Sequence, residues 1–186
     1  MSGVWTNNGK ALRNAFLCGD FITGLSALKD RDGNFGVTVD TENLNNHGSA
    51  TGIIRSLMCP VSNDTYVSSA FLRCEIGAGE TAPTVMDYEL ASRFRNNEIS
   101  YLSIVNEKPV WNAVTGAVEN TVKLTVQNRA AEAVTVREWG IFIANLSRWH
   151  LIYRATLDSP VTLQPNQSAM LTLTRSVTLT DPVVWE

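Results

Sequence analysis

"NTVKLTVQN", residues 120–128, alternates without a break: Val122, Leu124 and Val126 fall on one side, Lys123, Thr125 and Gln127 on the other. Successive side chains of an extended strand point to opposite faces, so this stretch predicts a strand with one dry and one wet face. The connector "RAAEA" (129–133) has hairpin length and leads to "VTVREWGIFIA" (134–144). There the same period puts Val134, Val136, Glu138, Gly140 and Phe142 on one face, and Thr135, Arg137, Trp139, Ile141 and Ile143 on the other.

Strand-like runs continue in both directions. Downstream lie "WHLIYRATL" (149–157), Val161–Leu163 and Ala169–Leu179, the last two joined by the turn "QPNQS". Upstream lie "GVTVDT" (36–41), "GIIRSLMCPV" (52–61, ended at Pro60), "TYVSSAFLRCEI" (65–76) and "YLSIVNEKPVW" (101–111). Short strands with turn signals about every ten residues predict an antiparallel β-sandwich or jelly roll over residues 36–186. Strands alternating with long helices, as a nucleotide-binding α/β fold requires, are absent. Residues 1–35 read as a helical or extended arm with one or two short helices. Leu12, Ala15 and Phe16 fall at helical spacing, Asn7 or Asn8 suits the cap and Gly19 the stop, and a second short helix is placed near 22–29.

The chain has 186 residues, 44% hydrophobic and 18% charged, with a net charge of −3. That supports a packed core, and the scattered Lys and Arg residues offer no patch to follow a phosphate backbone, so nucleic acid is not an expected partner. No apolar run is long enough to span a membrane, and the N-terminus does not read as a secretion signal. Cys18, Cys59 and Cys74 are too few and too scattered for a disulfide framework, and are expected as free, mostly buried thiols in a reducing cytoplasm.

"IGAGETAPTVMDYEL" (76–90) invites comparison with a phosphate loop. It lacks the lysine of a Walker loop, Glu80 would repel an anion, and Pro83 interrupts where a dinucleotide fingerprint opens a helix. Its glycines are read as a tight loop placing Asp87 and Tyr88 against the sheet. "DRDGNFG" (30–36), with Asp30, Asp32 and Asn34 alternating, departs from an EF-hand in its glycine and lacks the closing glutamate, so an Asx-rich turn is expected. His47 and His150 are far apart and no cysteine pair has ligand spacing, so no metal or cofactor is expected. His150 is read as a strand-edge histidine with a satisfied ring. Ser49 beside His47 lacks a nucleophile-elbow context, and no catalytic residue is assigned.

Glu138 stands out because it lies inside an apolar strand. A buried carboxylate needs a partner, either Arg154 on the following strand or backbone N–H groups; the competing reading is a catalytic acid. "TDPVVWE" (180–186) closes on Trp185, an apolar tail expected to dock on its own domain or on a neighbouring subunit.

Three segments resemble phage virion proteins: "TNNGKALRNAF" (Thr6–Phe16), "IGAGETAPTVMDYEL" (Ile76–Leu90) and Arg137–Leu179. The first is similar to a T-N-x-G-x-x-L opening of tail and tail-fibre proteins. The second is similar to their G-x-G-x-T-x-P-T-x-x-D-x-x-L segment, and the third to an E-x-G-[IL]-[FY] ending followed by L-x-x-R and a proline-containing strand. The first gap is longer than in the fibre-type pattern and no repetitive shaft follows, which points to a virion module in place of a whole fibre. The resemblance implies a non-enzymatic structural protein, made in the host cytoplasm and located in the virion. It would contact copies of itself, as a homo-oligomer, and other virion proteins. A tail, collar or adaptor position is the first expectation and a capsid decoration or cement protein the second. A carbohydrate-binding module using Trp111, Asn112 or Trp149 is a further alternative. Glu138, Arg154, Asp87, Tyr88 and Trp185 are the structural or interface candidates.

Overall fold

The computed structural model describes residues 3–10, 29–34, 72–107, 110–145 and 148–178. Its strands are β1 (Gly3–Trp5), β2 (Leu72–Gly77), β3 (Ile99–Asn106), β4 (Val110–Asn112), β5 (Ala117–Asn128), β6 (Val134–Asn145), β7 (Arg148–Leu163) and β8 (Ser168–Thr178). Sheet one has the order β1-β7-β6-β2. In sheet two β5 is central, with β8 along one edge and β3 and β4 along the other. All these pairings are antiparallel, and the molecule is a β-sandwich; among the described residues the helix is α1, at 7–10.

The dry faces meet between the sheets. Sheet one supplies Ile76, Val136, Trp139, Ile141, Tyr153 and Ala155, and sheet two supplies Ile99, Val122, Leu124, Val126, Leu171 and Leu173. β5 is buried at every second residue from Asn120 to Asn128, as its alternation predicts.

The connector 129–133 is not a hairpin, because β5 and β6 lie in different sheets. It is an arch organised by the buried Asn128, whose Nδ2 donates to Glu132 O at 2.8 Å and Leu163 O at 2.9 Å while its Oδ1 accepts from Ala130 N. An amide able to satisfy three backbone groups lets the chain cross the core without burying unpaired polar atoms. The turn at 164–167 likewise crosses from sheet one to sheet two, with Asn166 at φ 62°. The run 149–163 forms one long strand instead of two, whereas 101–111 divides into β3 and β4.

β6 does not keep one phase. The β6–β7 register jumps from Val136↔Val161 to Glu138↔Thr156, leaving extra β7 residues bulged out. Val136 therefore packs between the sheets with Trp139 and Ile141, while Phe142 packs with Leu90 and Leu151 in a separate cluster. A bulge reverses the in–out alternation, so Val136 is not on the face of Glu138.

The arm contributes β1, which pairs with β7. Thr6, not Asn7 or Asn8, caps α1: its hydroxyl accepts from Gly9 N at 3.3 Å and its carbonyl from Lys10 N at 2.9 Å. The helical expectations at Leu12–Gly19 and 22–28, the strands at 36–41 and 52–61, Cys18, His47, Ser49, Cys59 and Trp185 lie outside the described residues.

Candidate functional site

Sheet one is covered on its outer face by the loop 78–94. This loop leaves β2 at Gly77 and returns beside it: Ala78 N donates to Ser92 O at 2.7 Å, Phe94 N to Ile76 O at 3.3 Å, and Gly77 bridges Arg93. Beneath the loop, Glu138 on β6 is fully buried. Its Oε1 accepts from Gly79 N at 3.1 Å and Ser92 N at 2.7 Å, and its Oε2 from Ala91 N at 3.1 Å and Arg154 Nε at 2.8 Å. The Gly-x-Gly loop thus cradles an anion with backbone N–H groups, but the anion is the chain's own carboxylate.

Arg154, on β7, spends its remaining donors on the same loop. Nη1 meets Asp87 Oδ2 at 2.7 Å, and Nη2 meets Thr81 O at 2.9 Å and Glu138 Oε2 at 2.8 Å. Asp87 is oriented by Thr84, whose amide and hydroxyl donate to its two oxygens at 2.9 and 2.8 Å. Partial burial works to raise the Asp87 carboxyl, but the Thr84 and Arg154 donors outweigh it and hold it below the usual aspartate value. Burial works to lower Arg154, and its bonds to Asp87 and Glu138 reverse that and raise it.

The glycines here are a matter of space. A Cβ on Gly77 would collide with Ser92 O and lie 2.6 Å from Glu138 Oε1; one on Gly79 would lie 2.7 Å from the Glu138 carboxyl carbon and from Ala91. Gly140 gives the same clearance to Leu90 and Leu151.

Two further segments close this face. Asn8 pairs with the backbone of Lys29, each bond 2.8 Å, in the manner of an added strand residue. His150, fully buried, places Nδ1 3.1 Å from Lys29 O. Asp30 Oδ1 accepts from Asp32 N and Asn34 N, which makes "DRDGN" an Asx turn. Arg31 reaches Glu75 at 2.6 Å and covers the Phe142 ring, and the Lys29 ammonium sits 4.3 Å over the Tyr88 ring.

Glu138, Arg154 and Asp87 therefore form one connected cluster, and Tyr88 borders it. Gly79, Thr81, Thr84, Ala91 and Ser92 of the loop meet it directly, while Thr6 and Asn8 bond the backbone of Leu151, Ile152 and Lys29 beside it. Both oxygens of Glu138 and all the guanidinium nitrogens of Arg154 are engaged inside the protein, so this pair holds the loop.

The outer surface of sheet two is different. Val110, in register with Glu119, is 65% exposed, Met170 62% and Val114, in the turn after β4, 96%, while Trp111, 53% exposed, is in register with Val118 and lies on the other side of β4. Leu102 and Val105 on β3 are exposed as well. Thr121 and Thr174 pair across β5 and β8 through their hydroxyls at 3.2 Å, and Lys123 forms an ion pair with Glu107. Trp111 and Trp149 do not share a groove: Trp149 lies on β7 in sheet one beneath the Arg73 guanidinium, 4.1 Å away. Asn112 is bonded to Glu119 and to the turn amides of Val114 and Thr115.

The reading from sequence missed the Glu75–Arg31 pair and Arg175, which is buried in the core. Arg175 was open to detection by the reasoning that found Glu138, since it falls in phase with Leu171 and Leu173.

No protein-family model, curated protein or solved structure matches this chain.

Proposed function

We propose that this chain is a non-enzymatic structural subunit of a bacteriophage particle, in a tail, collar or adaptor position, that assembles with copies of itself and with other virion proteins. The observation that carries this reading is the group of exposed apolar side chains along β3, β4 and the following turn, with Met170 on β8. Exposed apolar groups clustered along one region are typical of protein contact surfaces. The opposite sheet supports the reading from the other side: its most strongly buried charges are consumed in fastening a loop. The residues through which the sequence resembles virion proteins are largely those that fasten it.

Repetition multiplies a modest contact in a symmetric particle, so a subunit of this size needs no large single interface. The test is co-purification. Particles released from cells carrying the native gene should contain the chain in fixed stoichiometry and keep it through a high-salt wash, and immunogold should place it at the tail. Label on the capsid would move it to a decoration or cement position. Particles free of the chain would reject the proposal.

A further inference from the structure

Arg175 projects from β8 into the space between the sheets and is 5% exposed. Its Nε donates to Asn120 Oδ1 at 3.0 Å, and its guanidinium lies 5.5 Å from the centre of the Trp5 ring. Nη1 is sealed from solvent and has no hydrogen-bond partner among the described residues. Two more buried donors lack a partner among the described residues, the indole Nε1 of Trp5 and that of Trp139. Both rings pack on Tyr153, with centroid distances of 5.6 and 5.2 Å. The register explains the grouping: Trp5 pairs with Tyr153 across β1 and β7, and Gly3, Ala155 and Trp139 form the next row.

Among the described residues the cation meets no carboxylate. Burial lowers Arg175 to about 10, and the groups opposing that are the Tyr153 hydroxyl and the Cys74 thiol. Both are themselves pushed upward by burial and stay neutral. Arg154 and Arg31, by contrast, each meet a carboxylate within 2.8 Å. A buried charge without a counter-charge is costly, and buried N–H donors are normally satisfied. The Trp5 ring face offsets part of the charge but accepts no N–H bond of normal strength.

We propose that Arg175, Trp5 and Trp139 form a binding site for a carboxylate. A single negative charge balances the single unpaired guanidinium. A planar carboxylate matches the guanidinium fork better than a spherical halide, and its second oxygen suits an indole N–H. Trp5 belongs to the three-residue edge strand β1 and is only partly buried, so the site is reached from that side. The carboxylate comes either from a free organic acid or from a side chain or C-terminus of a neighbouring subunit. The site does not depend on the assembly role.

Thermal unfolding of the full chain in sodium acetate, chloride and sulfate, at matched pH and ionic strength, tests this. Acetate is expected to raise the wild-type Tm saturably, by about 3 °C or more beyond the other salts. Arg175→Met should lose that response. Trp5→Phe, which keeps a ring and removes one donor, should shift half-saturation several-fold upward and serves if Arg175→Met does not fold. Sedimentation in saturating acetate separates the sources. Unchanged assembly identifies a free acid as the ligand, and dissociation identifies a neighbour's carboxylate. Identical melting of the wild type in acetate and chloride, or an unchanged acetate response in both variants, would overturn the proposal.

Discussion

Arg154 Nε stands 2.8 Å from Glu138 Oε2, and this one pair ties two central strands of sheet one to a loop whose Gly79, bonded to Glu138, lies 59 residues before it. The carboxylate takes three backbone N–H groups of the loop, and the guanidinium takes Asp87 and Thr81 O. Neither charge can be removed without leaving the other buried.

Glu138→Ala should therefore destabilise the protein by about 3–5 kcal/mol in urea unfolding, the range for breaking one side of a buried pair. Adding Arg154→Met should recover part of the loss, because the stranded cation is then gone. A change within about half a kcal/mol for Glu138→Ala would show that the carboxylate does not fasten the loop.

Asp87 supplies a pH test. Folding holds its carboxyl below the ordinary 3.8, so the folded state binds its proton less readily than the unfolded state. The stability it lends is complete above that ordinary value and drains as pH falls through the lower folded value. Asp87→Asn should be less stable than wild type at pH 7, and the gap should close in acid melts below pH 3.8. A gap that persists at full acidity would contradict the assignment.

The close-packed glycines rank in a definite order. Gly77→Ala meets the Ser92 backbone, whereas Gly140→Ala meets first the ends of Leu151 and Leu90. Side-chain ends can shift and backbone cannot, so Gly77→Ala should cost about 2–3 kcal/mol and Gly140→Ala less. Denaturation midpoints of the two variants check the order.

Cys74 is raised by burial, with Glu75 adding to it, from 9.0 to about 12. At pH 9 the native thiol should resist iodoacetamide and react only in denaturant, since the thiolate is the nucleophile. Peptide mapping by mass spectrometry reads the site directly, and rapid native labelling of Cys74 would show that the core between the sheets opens.

The sandwich was legible because β5, at the centre of sheet two, alternates cleanly: every apolar residue from Val122 to Val126 points into the core. Glu138 and Arg154 were legible as a pair because a charge inside an apolar strand needs a partner. The path between sheets was not, since the arch at 129–133 and a hairpin have the same length and similar residues; what separates them is Asn128 bonding Glu132 and Leu163. The phase of Val136 was hidden because the alternation breaks within β6, where the consecutive residues Arg137 and Glu138 both reach the covering loop as the pairing with β7 shifts. Thr6 was passed over as a cap because two asparagines beside it are equally good caps in isolation, and the β1–β7 pairing decides where the extended chain stops.

Sedimentation velocity of the 186-residue chain across a wide concentration range tests the assembly role most directly. The wild type should sediment as a homo-oligomer, and Val110→Glu with Trp111→Glu should sediment as the 20.4 kDa monomer with an unchanged circular-dichroism spectrum. A wild type that stays monomeric at every concentration, or an oligomer indifferent to both substitutions, would contradict the account.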